Sequence, residues 1–183
     1  MLNWNQVIDK LDYAFQPIIY SQTGKIYAVE ALVRGIDNIE ELNSIDDLFD
    51  TAFNDDFLYQ LDIQLREKAI KKFSEIKIND LKLFYNLDNR IIYNKNLSSG
   101  NTSRILEKYN LNKSNICFEL SEKGTVIEQN ALSSMLQRYK QSGYSIAIDD
   151  FGIGVSGLKL LYFSEANVIK LDRFFISNID QDS

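Results

Sequence analysis

Apolar positions along the chain follow two rhythms. Short alternating or continuous apolar runs bounded by turn residues occur at Phe15 to Tyr20, Ile26 to Arg34, Leu81 to Leu87, Ile116 to Glu122, Ser145 to Phe151 and Asn167 to Asp172. Each predicts a strand. Between them the period lengthens. Phe57, Leu58, Leu61, Leu65, Ala69 and Phe73 form one helical stripe, and Ile127, Met135, Leu136 and Tyr139 form another that Gly143 closes. Only Ser21-Gln22-Thr23-Gly24-Lys25 separates the first two strands, which suits an antiparallel hairpin. The later alternation of strand and helix implies a mainly parallel sheet with covering helices. It is either an open doubly wound sheet or part of a (β/α) barrel.

Composition narrows the class. The 183 residues, 45% hydrophobic and 25% charged, suit one soluble domain spanning 1–183 that buries a core without staples. Only one proline is present, and no low-complexity tract or linker interrupts the pattern. Trp4 and most Tyr and Phe residues read as core or interface. The single cysteine, Cys117, excludes an internal disulfide and reads as a small buried strand residue. The absence of histidine removes the commonest zinc ligand and the usual catalytic base. The first ten residues lack a signal-peptide pattern, and nowhere do about 18 apolar residues run together. A cytoplasmic chain without membrane insertion is expected.

A net charge of -6 argues against binding a nucleic acid polymer or anionic lipid, because both rest on clustered Lys and Arg. A polyanionic partner needs a local remedy, and a bound divalent cation is one. Strand ends offer such a site. Glu30 shares its strand face with Ala28 and Leu32, Asn86 with Phe84, Glu119 with Cys117 and Ser121, and Asp149 with Ala147. Asp150 adjoins Asp149. A solitary strand-end acid is more often solvated or caps a helix. Five such residues on four strand ends point instead to a hard cation, which offsets both lost hydration and mutual repulsion. Oxygen ligands imply Mg²⁺, Mn²⁺ or Ca²⁺.

Gly152-Ile153-Gly154-Val155-Ser156-Gly157 spells the glycine pattern of dinucleotide-binding folds. Asp149 and Asp150 directly before it would repel a pyrophosphate, and it follows four strands instead of opening a first βαβ unit. The glycines are better read as letting a loop turn sharply beside the acidic site. Lys170 could orient a water or neutralise a phosphate oxygen, or could pair with Asp172 or Asp150; residue type alone leaves these open. Arg34 could clamp phosphate or be an ordinary exposed strand-end arginine.

Five ordered motifs extend this reading: Phe15-Gln16-Pro17-Ile18-Ile19 leading to Val29-Glu30-Ala31-Leu32-Val33-Arg34, then Tyr85-Asn86-Leu87, Phe118-Glu119-Leu120-Ser121-Glu122, Ile148-Asp149-Asp150-Phe151-Gly152 and Ile169-Lys170-Leu171-Asp172-Arg173. Together they resemble the EAL-type cyclic-di-GMP phosphodiesterase family. The resemblance implies a TIM-like (β/α) barrel with one antiparallel strand, incomplete at the C-terminal end, with about six of the eight strands of such a barrel in this span. It implies hydrolysis of cyclic di-GMP to linear pGpG by a two-metal mechanism. The alternative is an inactive EAL-like module that binds cyclic di-GMP or a protein partner, with a nicotinamide-binding domain a distant third.

By the same resemblance, Glu30, Asn86, Glu119 and Asp149 would ligate one Mg²⁺ or Mn²⁺, and Asp150 would help hold a second. Lys170 would assist the nucleophilic water, and Glu122 would anchor the loop after Asp149-Asp150. Gln16, Leu32, Arg34 and Asp172 would contact the nucleotide. A homodimer formed near that loop, and sensor or GGDEF-type domains in a longer parent, are implied partners. The family's departures here are Asp88, where serine is frequent, Val155 and Gly157. A further metal-site glutamate and a nucleotide-binding glutamine of the family's last strands have no equivalent, so the expectation is a fragment or a gap covered by another chain.

Overall fold

A computed structural model describes residues 2–94, 100–121, 129–153 and 157–177. In chain order the elements are α1 (Trp4–Lys10), β1 (Asp12–Ile19), β2 (Ile26–Arg34), α2 (Ile45–Asn54), α3 (Leu58–Ser74), β3 (Lys82–Asn86) and α4 (Gly100–Lys108). Then follow β4 (Ile116–Ser121), α5 (Gln129–Gln141), β5 (Ser145–Phe151), α6 (Gly157–Ser164), β6 (Val168–Leu171) and α7 (Arg173–Ile176). Ile127 of the second predicted stripe lies outside the described residues.

The six strands form one sheet in the order β1-β2-β3-β4-β5-β6. Only β1 and β2 pair antiparallel; the other neighbours are parallel. Sequential order without a reversal decides between the two architectures left open above. A doubly wound sheet changes direction at a switch point, whereas a barrel wall does not. The sheet is a six-strand mixed half-barrel.

The hairpin closes as expected, with Tyr20 N donating to Lys25 O at 2.9 Å and Gly24 N to Tyr20 O at 2.8 Å. Gly24 has φ 66, a left-handed conformation that favours glycine. Strand β1 starts at Asp12, earlier than the apolar run at Phe15, because its pairing with β2 extends to Asp12 opposite Arg34 and buries Tyr13 opposite Val33. Lysines of α3 fasten that end: Lys68 Nζ donates to the carbonyls of Ile8 (2.5 Å) and Leu11 (2.8 Å), and Lys72 Nζ to Tyr13 O (2.6 Å).

Period-two alternation divides the side chains between two cores. Outward, Leu83, Tyr85, Phe118, Leu120 and Ile146 pack in the main core with the α3 stripe Leu58, Leu61, Leu65, Ala69 and Phe73 and with Met135, Leu136 and Tyr139 of α5. Phe57 is only half-buried at the α3 N-cap, stacked on Trp4 with ring centroids 5.0 Å apart. Inward, Ala28, Phe84, Cys117 and Ala147 form a small separate cluster against Ile18, Tyr27 and Val168. That inner cluster is the floor beneath the candidate site.

Candidate metal centre

Each of β2 to β6 places a polar residue two positions past its floor residue, and therefore on the same face. Ala28 leads to Glu30, Phe84 to Asn86, Cys117 to Glu119, Ala147 to Asp149 and Val168 to Lys170. Register sets Asn86 level with Glu119, whereas Glu30 is level with Phe84 and Asp149 with Ser121, a stagger of two positions at each of those steps. Carboxylate oxygens of Glu30, Glu119 and Asp149 lie within 4.8 Å of one another.

Lys170 stands among them. Its Nζ is 2.8 Å from Glu30 Oε2, 2.7 Å from Glu119 Oε1 and 3.1 Å from Asp149 Oδ1. Of the pairings open to it on sequence grounds, neither Asp172 nor Asp150 is its ion-pair partner among the described residues. Asn86 Nδ2 donates to Glu30 Oε1 at 3.2 Å, which leaves the amide oxygen as the atom Asn86 can offer a cation.

Glu119 is 0% exposed, and among the described residues its carboxylate meets one cation, Lys170, in an ion pair. Burial pushes its carboxyl up to about 8; Lys170 pulls against this, while Glu30 and Asp149 add to it. Burial by itself lowers Lys170, but Glu119, Glu30 and Asp149 outweigh it and hold the ammonium above the ordinary lysine range. Beneath them, burial and then the Glu119 charge push the Cys117 thiol up to about 12, so it offers no thiolate. A fully buried carboxylate, beside two more carboxylates and an amide oxygen, is a donor set that fits a hard divalent ion.

A sequence model of the EAL domain matches residues 4–183. The chain belongs to the EAL domain family. The cyclic di-GMP phosphodiesterase NbdA of Pseudomonas aeruginosa is 26% identical over 93% of this EAL domain chain. A standalone EAL protein from Vibrio cholerae O395, solved in a c-di-GMP bound form, is 31% identical with a TM-score of 0.76, the match covering 94% of this chain and 70% of that one. BlrP1 of Klebsiella pneumoniae, solved as a manganese/cy-diGMP complex, shares the fold at 24% identity with a TM-score of 0.79, covering 93% of this chain and 42% of that one. The chain spans only a minor part of the curated relatives it matches, 28% of one from Mycobacterium bovis and 22% of NbdA.

The remaining residues singled out in the sequence are distributed around this centre of the EAL domain. Gln16 is exposed on β1 opposite Glu30, and Leu32 is half-buried further along β2. Arg34, exposed at the end of β2, donates to the Val33 carbonyl at 2.8 Å. Asp172 caps α7 by accepting from Phe174 N at 2.7 Å. Asp150 follows Asp149 where the β5–β6 register shifts between Ile148 and Phe151; it has φ 52 and does not join the three converging carboxylates. Such a bulge re-aims consecutive side chains, which strand alternation alone does not foretell. Glu122 and Val155 lie outside the described residues, and Gly157 opens α6.

Asp88, one of the departures from the family pattern, has a local partner. Its carboxylate accepts from Arg90 N at 2.9 Å and pairs with the Arg90 guanidinium at 2.6 Å, while Arg90 also reaches Asp50 of α2 at 2.6 Å. Arg90 is not among the residues singled out in the sequence. The signal was present in Asp88-Asn89-Arg90, an acid placed to cap a turn two residues before its counter-ion.

No helix among the described residues is long and apolar enough to cross a membrane.

Proposed function

We propose that this EAL domain hydrolyses cyclic di-GMP to linear pGpG using two divalent ions, Mg²⁺ or Mn²⁺. The observation that carries the proposal is the convergence of Glu30, Asp149 and the fully buried Glu119 at the barrel mouth. One ammonium, that of Lys170, faces these three acids, so negative charge remains for a divalent ion to offset. NbdA, a cyclic di-GMP phosphodiesterase, and the c-di-GMP bound EAL protein of Vibrio cholerae support the choice of substrate.

Glu30, Asn86, Glu119 and Asp149 would hold the first ion, and Asp150 would help hold the second. Ions held there would neutralise the phosphodiester charge and make water a competent nucleophile near neutral pH. Lys170, already among the carboxylates, has the reach to orient that water or to donate to a phosphate oxygen. Gln16, Leu32, Arg34 and Asp172 would contact the nucleotide. Arg34 spends one contact on Val33, and its remaining donors suit a phosphate or a guanine edge. Glu122 would anchor the loop after Asp150.

Capture of the nucleotide without hydrolysis is the second reading. Its support is Asp150, which stands outside the converging group, so that the described residues assemble one ion position and not two. The two readings separate when the 183-residue chain is incubated with cyclic di-GMP and Mn²⁺ and bound nucleotide and linear product are measured independently. Product that vanishes with chelator and in Glu30→Ala is expected. Binding without product would leave only the binding module, and undiminished product from Glu30→Ala would refute the metal assignment.

A further inference from the structure

An aromatic ring lies against the turn that carries Asp149 and Asp150. Gly152 has φ 106, and a Cβ built on it would lie 2.5 Å from Cε2 and 2.9 Å from Cζ of Phe175. The ring of Phe175 thus occupies space that any other residue at 152 would need. Phe175 stays 49% exposed, so its burial in a core does not account for its position. It projects from α7, which the Asp172 cap fastens and whose approach continues the sheet, with Asp172 N donating to Phe151 O at 3.2 Å. Gly152 takes its φ of 106 freely, but Asp150 at φ 52 is a non-glycine residue in left-handed backbone, a conformation that the surroundings must hold.

We infer that Phe175 is a positioning residue for the metal centre: by resting on Gly152 it holds the β5 bulge so that Asp149 faces Glu30 and Glu119 and Asp150 stays in reach of the second ion. This rests on the metal-dependent reading proposed above. Phe175 touches neither ion nor nucleotide in this role, and it acts through the backbone of residues 149–152.

The test measures Mn²⁺ affinity by calorimetry or by paramagnetic resonance of the free ion. The full chain is compared with Phe175→Ala, Phe175→Leu, Gly152→Ala and the Gly152→Ala/Phe175→Ala pair, with melting in chelator as the control for folding. Phe175→Ala is expected to weaken Mn²⁺ binding by about tenfold or more, the range for residues that support ligands from behind. Phe175→Leu falls between, and melting in chelator moves by only a few degrees. Gly152→Ala is expected to weaken binding further, and removing the ring in the paired variant to recover part of that loss, because the clash is gone. Equal Mn²⁺ affinity in Phe175→Ala and the unsubstituted chain, or losses that simply add in the paired variant, would overturn the inference and leave the proposed function standing. Failure of the unsubstituted chain to bind Mn²⁺ would instead overturn the proposed function and this inference with it.

Discussion

Lys170 brings one ammonium to within 3.1 Å of three carboxylates, the same groups that fit a divalent ion. Without metal it is therefore the counter-ion of the cluster, and a metal must share or displace it. Replacing it with methionine keeps the bulk and removes the charge. Breaking a fully buried pair costs about 3–5 kcal/mol; Lys170 is 24% exposed, which reduces the loss to about 2 kcal/mol, or roughly 4–8 °C of melting temperature. Lys170→Met is thus expected to melt lower in chelator and to gain more from Mn²⁺ than the unsubstituted chain does. Equal gains in the two proteins would show that lysine and ion do not compete for these oxygens. That Glu30, Glu119 and Asp149 would meet was legible from their shared position two residues past a small apolar one. That Lys170 would bridge all three was not, because β6 is remote in sequence from β2 and only the sheet brings them together.

Among the elements, α3 does more than cover the sheet. Arg66 and Asp62, one turn apart and each 1% exposed, form an ion pair inside the main core. Arg66 also donates to Thr102 Oγ1 of α4 at 2.6 Å and lies over the rings of Phe118 (5.0 Å) and Tyr85 (5.5 Å) on the outer face of β4 and β3. Tyr85 Oη completes the network with a 3.2 Å bond to Asp62 Oδ1. Burial pushes the Asp62 carboxyl up, against the pull of the Arg66 charge. The network fastens α3 and α4 to the same strands whose inner faces present Asn86 and Glu119. Arg66→Met alone should destabilise the fold by about 3–5 kcal/mol, since it strands a buried carboxylate, whereas Asp62→Leu/Arg66→Met should recover most of that loss. Urea denaturation of the two variants decides it: a paired variant as unstable as the single one would mean the network contributes more than charge balance. The apolar stripe of α3 was plain in the sequence, but its buried pair was not, because an acid and a base one turn apart look the same on a solvated face. Helix α1, at seven residues with Val7 and Ile8 as its buried positions, was too short to show a period.

At the scale of the whole molecule, the half-barrel is firmest in its middle. Strands β3 and β4 are flanked by neighbours on both sides and are mostly buried, while β6 lies at the edge of the sheet and alternates half-buried with exposed residues. Local opening follows burial and pairing. Amide exchange is therefore expected to be slowest in β3 and β4 and fastest in β6 among the strands, and Mn²⁺ should slow the ends of β5 and β6 more than it slows α1. Uniform slowing throughout the chain would place the ion's effect on global stability and not on this mouth. The sequence by itself determined the order of the six strands, the two longest covering helices, the hairpin, the face of each strand that carries chemistry and the oxygen-only character of the donor set, because these follow from periodicity, turn chemistry and residue type, all of which are local. Tertiary structure alone decided the barrel-like strand order, the position of Asp150 outside the group that Glu30, Glu119 and Asp149 form, the bridging by Lys170 and the seat of Phe175 on Gly152. Each of these depends on register between strands distant in sequence and on a bulge at residues 148–151 that interrupts the alternation, and neither register nor bulge leaves a mark in the pattern of apolar positions.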